Sequence, residues 1–127
     1  MHTQTVGKSP LNRRGGQESY LLLAAGQFGS QRLAMTWVEG APGSEQALHE
    51  HADNEQVYVV VRGHGLMKCG GEEQEVGPGT LIYVPPRTQH AIRNTGDEPL
   101  VFISATSPPF QAANLGEGFA YQPQGRP

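Results

Sequence analysis

The sequence predicts an all-β domain, a sandwich or barrel of short antiparallel strands. Three observations carry that reading. Seventeen glycines and ten prolines make up about a fifth of the 127 residues, a load no long-helix bundle carries, because each costs a helix interior roughly 1 and 3 kcal/mol against Ala. Gly or Pro punctuates the middle of the chain about every 8 to 12 residues, the spacing of a β-sandwich or barrel. No stretch longer than about ten residues repeats its apolar positions with a helical period. The length allows one compact domain and is short for two.

Taken in order, residues 1–17 have neither period and read as an N-terminal arm. The barrel domain spans 18–107, with strands expected at Ser19 to Ala24, Arg32 to Val38, Gln56 to Arg62, Gly65 to Cys69, Glu73 to Val76, Thr80 to Val84, His90 to Arg93 and Leu100 to Thr106. In the second of these, Leu33, Met35 and Trp37 share one face and Ala34, Thr36 and Val38 the other. Both faces are apolar or small, as in a strand covered on both sides, and Met35 and Trp37 are the bulkiest candidates for lining a pocket. Gly70-Gly71 reads as a two-residue hairpin turn, since only Gly takes the required positive φ freely. Pro78-Gly79 reads as a second turn, with Pro presetting φ and Gly following. The tail, 108–127, is rich in Pro, Gly and Gln, yet holds Phe110, Leu115, Phe119 and Tyr121, apolar groups that need somewhere to pack.

Charge and cysteine usage exclude several functions. Nine Lys and Arg against twelve Asp and Glu give a net charge of −3, spread without blocks, so there is no electrostatic footprint for nucleic acid. The longest apolar runs, such as Leu21 to Ala25 and Val57 to Val61, stop far short of the roughly 18 to 20 residues of a membrane span. Met1 to Gly16 lacks the apolar core of a signal peptide. A lone cysteine, Cys69, permits no disulfide within the chain, and a cytoplasmic setting is the expectation.

The histidines carry the chemistry. His49 and His51 stand at i and i+2, which on an extended chain points both imidazoles to one side. His90 opens a later strand, just after Pro85-Pro86. Taken singly, each is more commonly an ordinary solvent or core histidine; together they suggest a site for one divalent transition metal, with Fe, Mn, Ni, Zn, Cu and Co all admissible. His64, between Gly63 and Gly65, reads as a loop residue, and Cys69 as a small core hydrophobe.

The stretch from Gly43 to Gly63, GSEQALHEHADNEQVYVVVRG, resembles the first motif of the cupin superfamily: Gly, five residues, His-x-His, three or four residues, Glu, six residues, Gly. The stretch from Gly79 to Asn94, GTLIYVPPRTQHAIRN, is similar to the second: Gly, five residues, Pro-x-Gly, two residues, His, three residues, Asn. The resemblance implies a double-stranded β-helix, or jelly roll, with a metal held inside the barrel by His49, His51, His90 and a fourth ligand. It also implies a small-molecule ligand or substrate and, since small members commonly pair, a homodimer.

Two departures from the motifs matter. Six residues back from Gly63 stands Gln56, while the acid of this stretch is Glu55. Strand parity puts Gln56, Tyr58, Val60 and Arg62 on one face and Glu55, Val57, Val59 and Val61 on the other, which favours Gln56 as fourth ligand; a bulge at Asn54 to Gln56 reverses the choice to Glu55. An amide in place of a carboxylate leaves the site one charge more positive, so it should hold the lower oxidation state and polarise an anionic or enolisable ligand more strongly. Arg87 replaces the second motif's Gly; if that turn keeps a positive φ, Arg87 is strained by about 1 kcal/mol or more.

The functional expectation is a metal-dependent enzyme acting on a small oxygenated organic molecule, dioxygenase-like oxidoreductase or Lewis-acid isomerase or decarboxylase. Tyr58 is the candidate acid-base residue, and a pocket-wall aromatic is the plainer role for it. The alternative is a non-catalytic module that binds or senses a small ligand.

Overall fold

The computed structural model describes residues 1–110 and 121–124. Its strands are β1 (Leu11–Arg14), β2 (Gln17–Leu23), β3 (Ala34–Gly40), β4 (Glu55–Arg62), β5 (Gly65–Cys69), β6 (Glu72–Val76), β7 (Leu81–Val84), β8 (His90–Asn94) and β9 (Leu100–Ser107). They form two antiparallel sheets, of order β1-β2-β3-β9-β4-β7 and β6-β5-β8. This is the jelly-roll architecture, and the pairing of β3 with β9 and of β9 with β4 closes long excursions of chain around one interior.

The strands follow from alternation. In β4 every second side chain from Gln56 to Val60 is buried, and in β9 Leu100, Phe102, Ser104 and Thr106 are buried while Ile103 and Ala105 are half-exposed, the pattern of a sheet with one face on a core. Tyr58, Val60, Phe102, Val38, Ile92 and Leu100 meet there, with Tyr58 stacked on Phe102 at a ring separation of 5.0 Å. The turns take the expected residues. Gly70 and Gly71 have φ of 61° and 87°, which is the two-residue turn that joins β5 to β6 with the twist the strands need. Gly79 has φ of 85°, and Thr80 N–H donates to Gly77 O at 3.1 Å across that turn.

Two sequence expectations need correcting. A strand precedes the first expected one: β1 lies within the segment read as an arm and pairs with β2 from Leu11↔Tyr20 to Arg14↔Gln17. It has no alternation to betray it, since only Asn12 of its four residues is buried. Met35 and Trp37 do not line the interior. Val38 and Thr36 face inward, while Trp37 lies on the opposite face, where its indole N–H donates to Glu39 at 2.9 Å. Leu33 precedes β3 and is exposed. Of the apolar tail residues, Leu115 and Phe119 lie outside the described residues, and Gln122 returns to exchange backbone hydrogen bonds with Leu11 at 2.7 and 2.8 Å. Among the described residues, no helix is long and apolar enough to cross a membrane.

Candidate metal centre

The segment between β3 and β4 carries two of the three histidines. It belongs to no named strand, yet it is stitched along β8 by isolated bridges at Glu45↔Arg93 and His49↔His90. His49 N–H donates to His90 O at 3.1 Å and His90 N–H to His49 O at 2.8 Å. Two residues paired that way in an antiparallel ladder project side chains from the same face. The ring centroids of His49 and His90 are 4.2 Å apart, those of His49 and His51 5.1 Å, and those of His51 and His90 5.4 Å. One nitrogen from each of the three lies within 4.8 Å of the others.

Backbone carbonyls set the direction of two rings. His49 Nδ1 lies 2.7 Å from Ala47 O and His90 Nδ1 2.9 Å from Thr88 O. A carbonyl can only accept, so each Nδ1 carries the proton, and each Nε2 keeps its lone pair for the cluster. Burial keeps the imidazoles neutral. His51 and His90 are pushed down to about 4, His51 by loss of water and then by His49 and His90, and His90 by loss of water, against the opposing pull of its bond to Thr88. His49 is lowered too, again chiefly by burial. Three neutral imidazoles converging through lone pairs are suited to a metal ion.

Arg87 fixes the third ring's backbone. Its φ is 58°, so the left-handed turn persists without the glycine, and its N–H donates to His51 O at 2.7 Å. From the other side, the ring of Phe110 lies over His51 at 4.3 Å.

The family model for the cupin domain matches residues 36–106, more than half of the chain. The chain is a cupin. Over 68 residues it is 41% identical to the uncharacterized protein MJ1618 of Methanocaldococcus jannaschii, covering 54% of each chain. Over 61 residues it is 41% identical to the glucose-6-phosphate isomerase of Pyrococcus abyssi, covering 44% of this cupin and 32% of the isomerase. The chain thus spans about half the length of the first relative and a third of the second. Among solved structures, the predicted oxalate decarboxylase of Thermotoga maritima superposes with a TM-score of 0.76 over 84% of this cupin and 98% of the other chain, at 19% identity, a likeness of fold.

Within this cupin, Gln56 and Glu55 point to opposite sides of β4. Gln56 is buried at 7% exposure; its Nε2 donates to Ser104 Oγ at 2.7 Å and its Oε1 lies 3.1 Å from His90 Nε2. Glu55 is exposed and accepts the Tyr83 hydroxyl at 2.8 Å. Tyr58 stands further in. It is fully buried, its ring is 6.0 Å from that of His90, and its hydroxyl donates to Gln46 Oε1 at 3.1 Å; burial pushes its pKa strongly up, so the phenol stays protonated. His64 is exposed on its loop. Cys69 sits beside His90 in the β5–β8 register and packs on the core.

The groups that sequence reasoning passed over are those that aim the ligands: the carbonyls of Ala47 and Thr88, the Ser104 hydroxyl and the Arg87 N–H. The backbone groups leave no trace in a sequence. Ser104 does, as a polar residue at an inward position of β9, next on that face to Phe102.

Proposed function

We propose that this cupin holds one divalent transition metal through His49, His51, His90 and Gln56 and uses it to bind and polarise a small oxygenated organic molecule. The contact between His90 and Gln56 carries the proposal. A neutral His90 has one proton, given to Thr88 O, so its Nε2 lone pair faces the Gln56 carbonyl oxygen, another acceptor, at 3.1 Å. Two acceptors held that close repel, whereas two neighbouring ligands each about 2.1 Å from a shared ion stand about 3 Å apart. The donor set therefore fits a cation. When bound, the ion supplies Lewis-acid polarisation of a chelated carbonyl, enol or carboxylate oxygen. Three imidazoles and an amide leave its full charge for the ligand, which supports binding of an anionic or enolisable group.

The donor set is one that Lewis-acid isomerisation or decarboxylation uses, and the partial match to a glucose-6-phosphate isomerase supports that class. A dioxygenase-like reaction uses the same donor set. Tyr58, tied to Gln46 and held protonated, is the pocket wall in this reading and not the general base. That observation favours a second reading, a binding module that turns nothing over.

Elemental analysis of the purified chain tests the site. One transition metal per chain is expected, lost in His90→Ala and bound some 10- to 100-fold more weakly in Gln56→Ala. No metal after reconstitution, or undiminished metal in both variants, refutes it. Turnover of diketones, catechols, keto acids or sugar phosphates by the loaded protein then selects catalysis; saturable binding without product selects the module.

A further inference from the structure

Gln46 stands beside the histidines without belonging to the donor set. Its backbone N–H donates to Ile92 O at 3.1 Å, and its side-chain Oε1 accepts both the Tyr58 hydroxyl at 3.1 Å and Ile92 N–H at 3.2 Å. Ile92 and His90 are two residues apart on β8 and both fully buried, so they share the inward face. Gln46 is thus fastened one row along from His90, and successive rows on one face of a strand are about 7 Å apart. Two donors on one oxygen also decide which way round the amide sits. Exchanging its ends would turn Nε2, a donor only, onto the Ile92 N–H, which can likewise only donate. Nε2 therefore faces away from that bond with two N–H groups, and none of the described residues accepts from them. The neighbouring donors are already committed: the Gln56 amide to Ser104 Oγ and the Tyr58 hydroxyl to Gln46 itself.

We propose that Gln46 Nε2 sets the specificity of the metal centre by donating to an outer oxygen of a small carboxylate chelated at the ion, and so selects 2-oxo or 2-hydroxy acids. The inference rests on the metal site proposed above and names its substrate class. Such an acid binds the ion through one carboxylate oxygen and the adjacent keto or hydroxyl oxygen, which leaves the second carboxylate oxygen for the amide. A metal–oxygen bond of about 2.1 Å and a hydrogen bond of about 2.9 Å, with the carboxylate between them, cover the spacing of one strand row. A donor already held in place loses little freedom on binding, and a hydrogen bond to an ionised oxygen is stronger than one between neutral groups. Tyr58 has a defined part in this arrangement: buried and protonated, it is the strut that holds Gln46.

Cobalt-reconstituted protein titrated with pyruvate and with chloride at constant ionic strength, followed by the visible absorption of the ion, tests the assignment. Both probes carry one negative charge, and monatomic chloride has no outer atom for the amide. Gln46→Glu keeps an acceptor for Tyr58 and Ile92 and replaces the donor by an oxygen, so pyruvate affinity falls at least about tenfold relative to chloride. Gln46→Met removes the donor without adding charge and lowers the same ratio by about tenfold. Cobalt content stays at one ion per chain in both. A residue that only braced the segment before β4 would leave the ratio unchanged in Gln46→Glu, and that variant, which retains both buried bonds, decides the matter if Gln46→Met does not fold. Failure of the two readings looks different. No cobalt taken up refutes the metal site and this inference with it; cobalt bound, with pyruvate ignored by the unmutated protein or the ratio unchanged in folded Gln46→Glu, refutes this inference alone.

Discussion

Gly63 closes the first motif, Gly79 opens the second, and the two have nearly the same backbone, with φ of 83° and 85°. Replacing each by alanine separates two reasons for a glycine. In both, the added Cβ meets the left-handed penalty of about 1 kcal/mol. Gly79 has nothing within 4 Å of that Cβ, so the penalty is all there is. At Gly63 the Cβ runs into the Pro99 carbonyl oxygen, with Leu100 Cα 3.0 Å away. Both neighbours are backbone, and Leu100 is fully buried, so β9 must shift or the turn must open; overpacking of this sort adds about 1 to 3 kcal/mol. The expected losses are therefore about 1 kcal/mol for Gly79→Ala and about 2 to 4 kcal/mol for Gly63→Ala. With an unfolding entropy of about 2.1 cal/mol/K per residue, 1 kcal/mol lowers Tm by about 4 °C in a chain of this length. Urea titration and calorimetry of both variants measure the difference. Equal losses would refute the role assigned to the Pro99 contact.

Three further outcomes are expected. Chelated protein loses stability as pH falls from about 6.5 toward 4: His51 and His90, held down to about 4 in the fold, take up protons in the unfolded chain first, so the loss is complete below the folded values. Thermal melts from pH 7 to 4 check this, and a flat profile counts against three neutral histidines. Arg87→Gly relieves the φ of 58° and raises stability by about 0.5 to 1 kcal/mol in a denaturant titration, the glycine's own entropy offsetting part of the gain. Asn94→Ala removes bonds from Nδ2 to Gly40 O at 3.0 Å and Glu98 O at 2.8 Å, and to Oδ1 from Gly96 N–H at 2.9 Å. A loss of about 2 to 4 kcal/mol follows from the buried groups left unpaired, and a loss under about 1 kcal/mol would show that water replaces the amide.

Much of this is legible in the sequence. Alternation and turn glycines placed β2 to β9 within one or two residues, because each of those strands buries one face or ends at a residue whose backbone only glycine adopts easily. β1 escaped because Leu11–Arg14 is held by ladder hydrogen bonds to β2 and by Gln122, not by burial. The orientation of β3 escaped for the opposite reason: both of its faces are apolar, so parity had nothing to choose between. Parity worked on β4, where Gln56 shares its face with Tyr58 and Val60 and Glu55 shares its face with Val57 and Val59, and it separated Gln56 from Glu55. His49 and His51 converge with His90 through backbone bridges that no side-chain pattern announces, and the carbonyls that orient the rings are invisible to any sequence reading.

The pairing of His49 with His90 has a kinetic consequence. It ties together two points roughly forty positions apart, a closure whose entropy the backbone bonds and the Gln46 side chain's bond from Ile92 N–H must overcome. A metal shared by both side chains would act as a removable cross-link on that loop, in a chain whose lone cysteine offers no covalent one within it. Its release would then register first as faster opening of the segment before β4, ahead of any loss from the sheets, and amide exchange of residues 44–51 with and without chelator would time it.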